Sequence, residues 1–468
     1  MYALLHAHTH YSNLRMIDSI NTEETLIDRA FELGLTGVAI TDHESVSGHV
    51  KAIEYYNKKF KEDKSKFKLV LGNEIYLTKE GLNLETHEKG EKFFHQLLLA
   101  KNSKGHRQLR ELSTRAWSRS YFKNLMRVPT YSSDLFEVIG QEKGNIVATT
   151  TCLAGVTATR FAMNDYEGVD RFMEQMTALF GAENFFIELQ PSHLHDQVSY
   201  NKFMVDRYWG KYPFIFTTDA HYLKKEDAEV HGWFLNSKGG NREVDQFYAS
   251  AYVMSYEEIK EYFLPYISLD KIEEMKNNTN KILDMIEDYS LDHGQIVPKI
   301  AYEERIEYKK HLEVEKIFRQ YLTDGEYPYL QYFMETEDEA DSYLMGLIYE
   351  GYYDKVLNSS VPVQERMKRL DYELEQIRET SLKINQSLSD YFITMAKMIE
   401  IVWNEADSLV GPGRGSASGF LVNYLVGITQ IDPLTQALYL PPWRLAYATH
   451  MAGYKSCIGL LCMVTYSK

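Results

Sequence analysis

Tyr2-Ala-Leu-Leu-His6-Ala-His8-Thr9 is a short apolar run that ends in two histidines spaced by one residue. Alternate side chains of an extended strand share a face, so both imidazoles can reach one point. Working outward, the same pattern recurs: Tyr2–Leu5 is followed by apolar runs at Gly37–Thr41, Lys68–Leu71, Gln96–Ala100, Asn145–Thr149, Phe185–Leu189 and Pro213–Thr217. Helix-like segments separate most of these candidate strands. One is Glu23–Leu33, which Asn21 and Glu24 can open as a capping box. Repeated strand–helix alternation predicts an α/β fold with a parallel sheet closed into a barrel, and reactive groups then gather at the C-terminal strand ends.

Those ends carry the chemistry. The second run leads into Thr41-Asp42-His43, the third into Gly72-Asn73-Glu74, the fifth into Cys152 and the seventh into Asp219-Ala220-His221, while the fourth has His95 at its start. A single histidine beside an apolar run is usually a satisfied core or surface residue. Recurrence at six strand edges is different, because converging carboxylates and imidazoles need cations between them. Mixed nitrogen and oxygen donors suit zinc, manganese or iron, and a thiolate favours zinc at the site it joins. His10, His49 and His87 are read as surface or supporting histidines, and His193 and His195 as residues near the barrel mouth that ligate nothing.

The chain of 468 residues has 44% apolar and 25% charged residues, which excludes wholesale disorder and calls for two or three domains. Its three cysteines argue against a disulfide framework, and no uninterrupted apolar stretch is long enough to span a membrane. A cytoplasmic protein with no leader is expected. The formal charge of −16 confines any nucleic-acid contact to local basic surface. Lys101, Lys104, Arg107, Arg110, Arg115, Arg119, Lys123 and Arg127, with Glu111 the one acid among them, form such a stretch. It reads either as a solvated helix surface or as a phosphate-tracking stripe.

In detail the motifs His6-Ala-His8-Thr, Thr41-Asp42-His43, Gly72-Asn-Glu74, His95, Thr151-Cys152-Leu-Ala-Gly155 and Thr218-Asp219-Ala-His221 resemble the PHP domain at the N-terminus of bacterial DNA polymerase III alpha subunits. The resemblance implies a (β/α)7-type barrel over residues 1–285 and three divalent cations. It implies the ligands His6, His8, Asp18, His43, Glu74, His95, Cys152, Asp219 and His221, with His43, Asp219 and His221 also placed in catalysis. Asp18 matches the aspartate of the family's Leu-Asp-Gly segment, with Ser19 standing where the glycine would be. The implied activity is phosphoester hydrolysis of the 3′–5′ exonuclease type, acting on a primer-template or single-stranded 3′ end. The alternatives are a free-standing phosphatase for small phosphate esters and a metal-braced scaffold without catalysis.

Texture changes beyond about residue 285, where Glu303–Glu350 is acidic and tyrosine-rich and Arg366–Leu388 and Tyr391–Ala406 read as helices. A glycine-rich loop follows, Gly411-Pro-Gly-Arg-Gly-Ser-Ala-Ser-Gly419. Its glycines let backbone amides approach a phosphate. With Tyr372-Glu-Leu-Glu375, Asp390-Tyr-Phe-Ile393, Gly427-Ile-Thr and Ile431-Asp-Pro-Leu434, it is similar to the opening of the same family's palm. The resemblance implies that Gly413, Arg414, Gly415, Ser416 and Ser418 hold the phosphates of a deoxynucleoside triphosphate, with magnesium, in a partial palm spanning 286–444. Residues 445–468 leave the family pattern, and no Asp or Glu follows Asp432. Polymerisation by this chain alone is therefore not expected, and a second polypeptide is a candidate to complete the palm.

Overall fold

The computed structural model describes residues 1–78, 93–123, 125–237, 248–291, 296–322, 326–406 and 408–435. His87, Leu440–Arg444 and the tail 445–468 lie outside the described residues. The chain divides into two compact units, Met1–Asp292 and His293–Lys468.

In the first unit the strands are β1 (Ala3–Leu4), β2 (Gly37–Ile40), β3 (Lys68–Thr78), β4 (Phe94–Ala100), β5 (Tyr121–Lys123), β6 (Leu125–Arg127), β7 (Thr130–Tyr131), β8 (Ile146–Thr149), β9 (Phe185–Leu189) and β10 (Phe214–Phe216). One curled sheet runs β1-β2-β3-β4-β8-β9-β10, with β7 added beside β3, and β5 pairs with β6 separately. A parallel bridge between Ala7 and Ala220, made by His8 N–H to Ala220 O at 2.9 Å and Ala220 N–H to His6 O at 3.3 Å, joins the chain beyond β1 to the chain beyond β10. The sheet is thereby curled into the expected barrel, with one correction to the all-parallel reading: β4 is antiparallel to both β3 and β8. Consecutive strands that pair antiparallel need no helical crossover. The reversal also explains why His95 opens its strand, since the start of β4 lies at the same end of the barrel as the C-terminal ends of its neighbours.

Strand alternation stacks the interior in layers. Ala3, Leu5, Ala39, Val70, Leu97, Leu99, Val147, Phe186 and Ile215 form an apolar plug closed by Ile282, Leu283 and Ile286. The intervening residues Tyr2, Leu4, Val38, Ile40, Leu98, Ala100, Phe185 and Ile187 belong instead to the larger core that includes the surrounding helices. One rung above the plug, Thr149, Glu188 and Thr217 form a buried polar belt. Above that come the histidines and carboxylates.

The helix Glu23–Glu32 starts one residue later than the capping-box reading, on Thr22 with Thr25 as its reciprocal partner. Asn21 is spent elsewhere, since its side-chain N–H groups donate to His8 O at 3.0 Å and Ala220 O at 3.4 Å and tie the closing bridge. The basic stretch is mostly paired off. Lys104 and Arg107 meet Glu142, Arg115 meets Glu111, Asp134 and Glu137, and Arg119 meets Asp134. Lys101 donates to Asn184 at 2.9 Å. Among the described side chains the basic stretch is interrupted, because the acidic face of the helix Ser132–Gln141 and the Glu142 that caps it pair with Lys104, Arg107, Arg115 and Arg119.

His49 and His106 form a buried pair with 2.9 Å between His49 Nδ1 and His106 Nε2, and His49 Nε2 donates to Gly72 O at 2.9 Å. A carbonyl only accepts, so His49 carries its proton on Nε2 and takes His106 Nε2–H on Nδ1. A second proton on His49 would face that N–H. Burial and the neighbouring imidazole lower the His49 pKa to about 3, and burial with Arg110 nearby lowers His106 to about 4. Unfolded histidines take up protons near pH 6.5, so this pair stabilises the fold fully above that value and progressively less below it. In the metal-free chain, the melting temperature of a His49→Gln, His106→Leu double variant is expected to fall less steeply from pH 7 to pH 5 than that of the parent. Equal slopes by circular dichroism would contradict this.

In the second unit, helices Leu312–Tyr321, Pro328–Glu335, Glu339–Val356, Val363–Ile384 and Leu388–Asn404 pack around Leu344, Ile348, Leu370, Leu374, Ile377 and Ile393. The glycine-rich segment contributes a 3-10 turn at Gly415–Gly419 and the short helix Leu421–Leu425. Gly413 has φ +142, and a Cβ there would lie 2.5 Å from Ser418 Oγ, so only glycine lets the loop fold back on Ser418.

Candidate metal centre

His6, His8, Asp18, His43, Glu74, His95, Cys152, Asp219 and His221 converge in one buried cluster at the loop end of the barrel. Glu74 is its hub. Its Oε1 is 3.0 Å from His95 Nδ1 and 3.3 Å from His6 Nε2, and its Oε2 is 2.6 Å from His43 Nδ1 and 3.6 Å from His8 Nε2. Asp18 Oδ2 lies 2.6 Å from His43 Nε2 and 3.2 Å from His221 Nε2. Asp219 Oδ1 is 2.9 Å from His8 Nε2 and 3.3 Å from His6 Nε2. Cys152 Sγ sits 3.4 Å from His95 Nδ1 and 3.8 Å from Glu74 Oε1. The other Asp18 oxygen, Oδ1, accepts from Tyr248 OH at 2.9 Å.

Local backbone geometry holds these groups in place. Isolated parallel bridges at His43–Glu74 and His95–Gly155 carry the sheet past its strand ends. Glu44, Thr151 and Asp219 adopt φ of +50, +55 and +48, so the chain turns sharply just after His43, just before Cys152 and at Asp219 itself. Left-handed non-glycine residues cost of order 1–3 kcal/mol each and persist where surroundings over-determine them.

The hydrogen bonds around three imidazoles fix where their protons lie. Glu188 accepts from Thr149 Oγ1 at 2.6 Å and Thr217 Oγ1 at 2.5 Å, and its Oε1 is 2.8 Å from His6 Nδ1, which must then carry the hydrogen. Ser12 donates to Asp42 Oδ1 at 2.8 Å, so its oxygen accepts from His8 Nδ1–H at 3.1 Å. His221 Nδ1–H donates to the backbone carbonyl of Asp219 at 2.7 Å. In the neutral tautomers the Nε2 lone pairs of His6, His8 and His221 therefore all face carboxylate oxygens. His6 Nε2 is buried without any hydrogen-bond partner, and His43 Nδ1 and Glu74 Oε2 face only each other, at 2.6 Å.

Lone pair against lone pair is repulsive, and two remedies exist: a proton or a metal ion. Burial opposes charging His6, yet Asp219, Glu188 and Glu74 raise its pKa well above the ordinary value. Burial likewise opposes charge on His43, but Glu74 and Asp18 raise it to about 10. Burial, with His43 and His221 adjacent, drops His8 to about 3, so that imidazole stays neutral. Burial is again outweighed at Glu74 and Asp18, whose carboxyls are held well below the usual range by the surrounding imidazoles. Burial and the Glu74 and Asp219 carboxylates push the Cys152 thiol up, so it ionises only if a cation joins it. The donor set thus fits divalent cations, which satisfy the orphaned nitrogens without importing protons.

Glu188 and Asp42 were missed by the motif reading. Glu188 fixes the His6 tautomer directly and Asp42 fixes that of His8 through the Ser12 hydroxyl, the usual role of carboxylates that back metal-binding histidines. A signal for Glu188 exists, since it interrupts Phe185-Phe-Ile-Glu-Leu189, a run buried on both faces. Of the other histidines, His10 approaches Glu23 at 3.5 Å, His193 stacks on Tyr262 and His195 is exposed, and all three stand apart from the cluster. A cleft lined by Gln190, Ser192, Asp219, His221 and Tyr248 opens onto it.

In the second unit Arg414 is exposed, Gly413 and Gly415 take positive φ, and Ser416 and Ser418 are half-buried. The loop is anchored from behind by Glu373. Its Oε1 accepts Leu421 N–H at 2.8 Å and Arg369 Nε–H at 2.6 Å, and its Oε2 accepts Val422 N–H at 2.8 Å.

Residues 5–192 match the PHP domain, which is the class of protein that the curled barrel and its cluster define. Residues 342–446 match the bacterial DNA polymerase III alpha NTPase domain. The chain joins these two domains in that order and belongs with the N-terminal part of bacterial DNA polymerase III alpha subunits. It is 38% identical over 94% of its length to the probable DNA polymerase YorL of Bacillus subtilis, covering 35% of that protein. It is 26% identical over 93% of its length to the DNA polymerase III subunit alpha of Treponema pallidum, covering 33% of it. Among solved structures, an amidohydrolase from Chromobacterium violaceum superposes with a TM-score of 0.29 at 14% identity, over 47% of this chain and 88% of that one. The chain spans about a third of the length of the curated relatives it matches.

Proposed function

We propose that the PHP unit is a metal-dependent phosphoesterase of the 3′–5′ exonuclease type, within the N-terminal part of a replicative DNA polymerase that works in the cytoplasm. The observation that carries this reading is the set of Nε2 lone pairs of His6, His8 and His221 turned onto carboxylates. Such an arrangement suits bound cations. His6, His8, Asp18, His43, Glu74, His95, Cys152, Asp219 and His221 would hold the ions, three in number and drawn from zinc, manganese or iron. Bound cations supply an activated water and charge stabilisation for the leaving oxygen. This chain's own residues fix the imidazoles through Glu188, Asp42 and the Asp219 carbonyl, and admit a 3′ end through the cleft at Gln190 and Tyr248. Asp219 and His221, on the edge of that cleft, stand with His43 nearest to the reacting phosphoryl group.

In the second unit, Gly413, Arg414, Gly415, Ser416 and Ser418 would contact the triphosphate of an incoming deoxynucleotide, with magnesium, in the polymerase of which this chain forms part. DNA is the shared partner of both units. Among the described residues no helix is long and apolar enough to cross a membrane.

The test is hydrolysis of a single-stranded oligodeoxynucleotide with a free 3′ end, with manganese or zinc and with chelator. Release of nucleotides from the 3′ end that requires metal is expected, with loss in an Asp219→Asn, His221→Ala double variant that keeps the native circular dichroism spectrum. Full activity in that variant would refute the assignment.

A further inference from the structure

Arg15 lies in the segment between His8 and Asp18 and is only 8% exposed, yet its Nε has no hydrogen-bond partner. Its guanidinium stacks on Tyr76, 3.6 Å from the ring centroid. That ring in turn packs 4.4 Å from His95 and 5.4 Å from His43. Among the described residues no carboxylate lies within ion-pair distance of Arg15 or of Arg127. Glu44, the acid whose field reaches Arg15, directs one oxygen to Tyr76 N–H and to Thr130 Oγ1 at 2.8 Å. Arg127 sits beside Phe93, 5.5 Å from its centroid, and burial with the neighbouring Arg15 charge lowers its pKa.

A guanidinium that is 8% exposed, stacked on Tyr76 and left with an unpartnered Nε is costly unless an anion joins it. Stacking on an aromatic ring fixes the plane of a guanidinium and leaves its N–H edge free for a forked contact with phosphate oxygens. We propose that Arg15, stacked on Tyr76 beside His43 and His95, and Arg127 outside it form a subsite for the phosphate backbone at an oligonucleotide 3′ end. This subsite rests on the hydrolytic reading above and names residues that would grip its substrate, with the half-buried ring of Phe93 beside Arg127 available to a base.

The test uses the full chain in EDTA and a 5′-labelled tetrathymidylate read by fluorescence anisotropy. Arg15→Gln and Arg127→Gln each weaken binding about tenfold, and each lowers the slope of log affinity against log salt by about 0.7. Arg15→Lys recovers part of the loss, and inorganic phosphate competes against the parent. With manganese restored, KM for the tetramer rises about tenfold in both Gln variants while kcat holds. Unchanged affinity and KM in both Gln variants, with native circular dichroism, overturns the subsite. Phenyl phosphate binding as tightly as the tetramer overturns the oligonucleotide assignment. Arg15-dependent binding by a parent that hydrolyses nothing keeps the subsite and removes the hydrolytic reading, whereas hydrolysis with a KM indifferent to both arginines does the reverse.

Discussion

Glu74→Gln is expected to lower the metal content of the purified chain by at least one ion and to cut metal-dependent hydrolysis by about a thousandfold or more. Glu74 meets His6, His8, His43 and His95 within 3.6 Å, so no other carboxylate in the cluster touches as many imidazoles. The amide has nearly the same shape but is neutral, and one of its two ends presents N–H groups to nitrogens that must act as ligands. Residues that merely back a metal ligand cost about 10–100-fold on removal, and loss of a carboxylate that would itself hold the ions exceeds that range. Metal analysis and 3′-end hydrolysis measured on the same sample check the expectation. Because Glu74 is fully buried, its apo form also matters. The isosteric variant is expected to remain folded in EDTA, which separates ligand loss from collapse. Retention of a full metal complement would show that the cluster holds its ions without its hub.

The second large effect lies in the other unit. Glu373→Ala is expected to destabilise it by about 3–5 kcal/mol, the cost of leaving a buried ionic partner uncompensated. Glu373 is fully buried, accepts two backbone N–H groups from the start of the helix Leu421–Leu425, and pairs with Arg369. Arg369 also donates to Gly419 O, so the Glu373–Arg369 pair ties the long helix Val363–Ile384 to the C-terminal end of the glycine-rich segment. Loss of the carboxylate strands those donors together, and the melting transition of this unit falls by roughly 10 °C. Glu373→Gln, which keeps an acceptor, is expected to lose less. Calorimetry of the three proteins gives the ranking, and equal transitions for parent and alanine variant would deny Glu373 this anchoring role.

Much of the barrel was legible because a strand that ends at a reactive rim leaves a mark in sequence: an apolar run, then a polar ligand type. Seven apolar runs stand where β1, β2, β3, β4, β8, β9 and β10 form, and all but the β9 run carry a ligand type at one edge. Glu188 left a weaker mark, because its partners Thr149 and Thr217 come from strands distant in sequence and neither residue type stands out there. The basic stretch left two readings open for a related reason. Charges on one helix are visible in sequence, but the acids of Ser132–Gln141 and Glu142 that neutralise them are placed by packing.

The amino-acid sequence by itself determined which side chains could bind cations and which end of the barrel they occupy, since composition and strand periodicity are local properties. Only the tertiary structure decided that β4 runs backwards and so delivers His95 to the rim. It alone decided which ring nitrogens of His6, His8 and His221 face inward, and that Arg15 is buried with no carboxylate at ion-pair distance among the described residues. Strand direction, tautomer and charge balance each depend on partners brought together from far along the chain, and no local pattern encodes those distances.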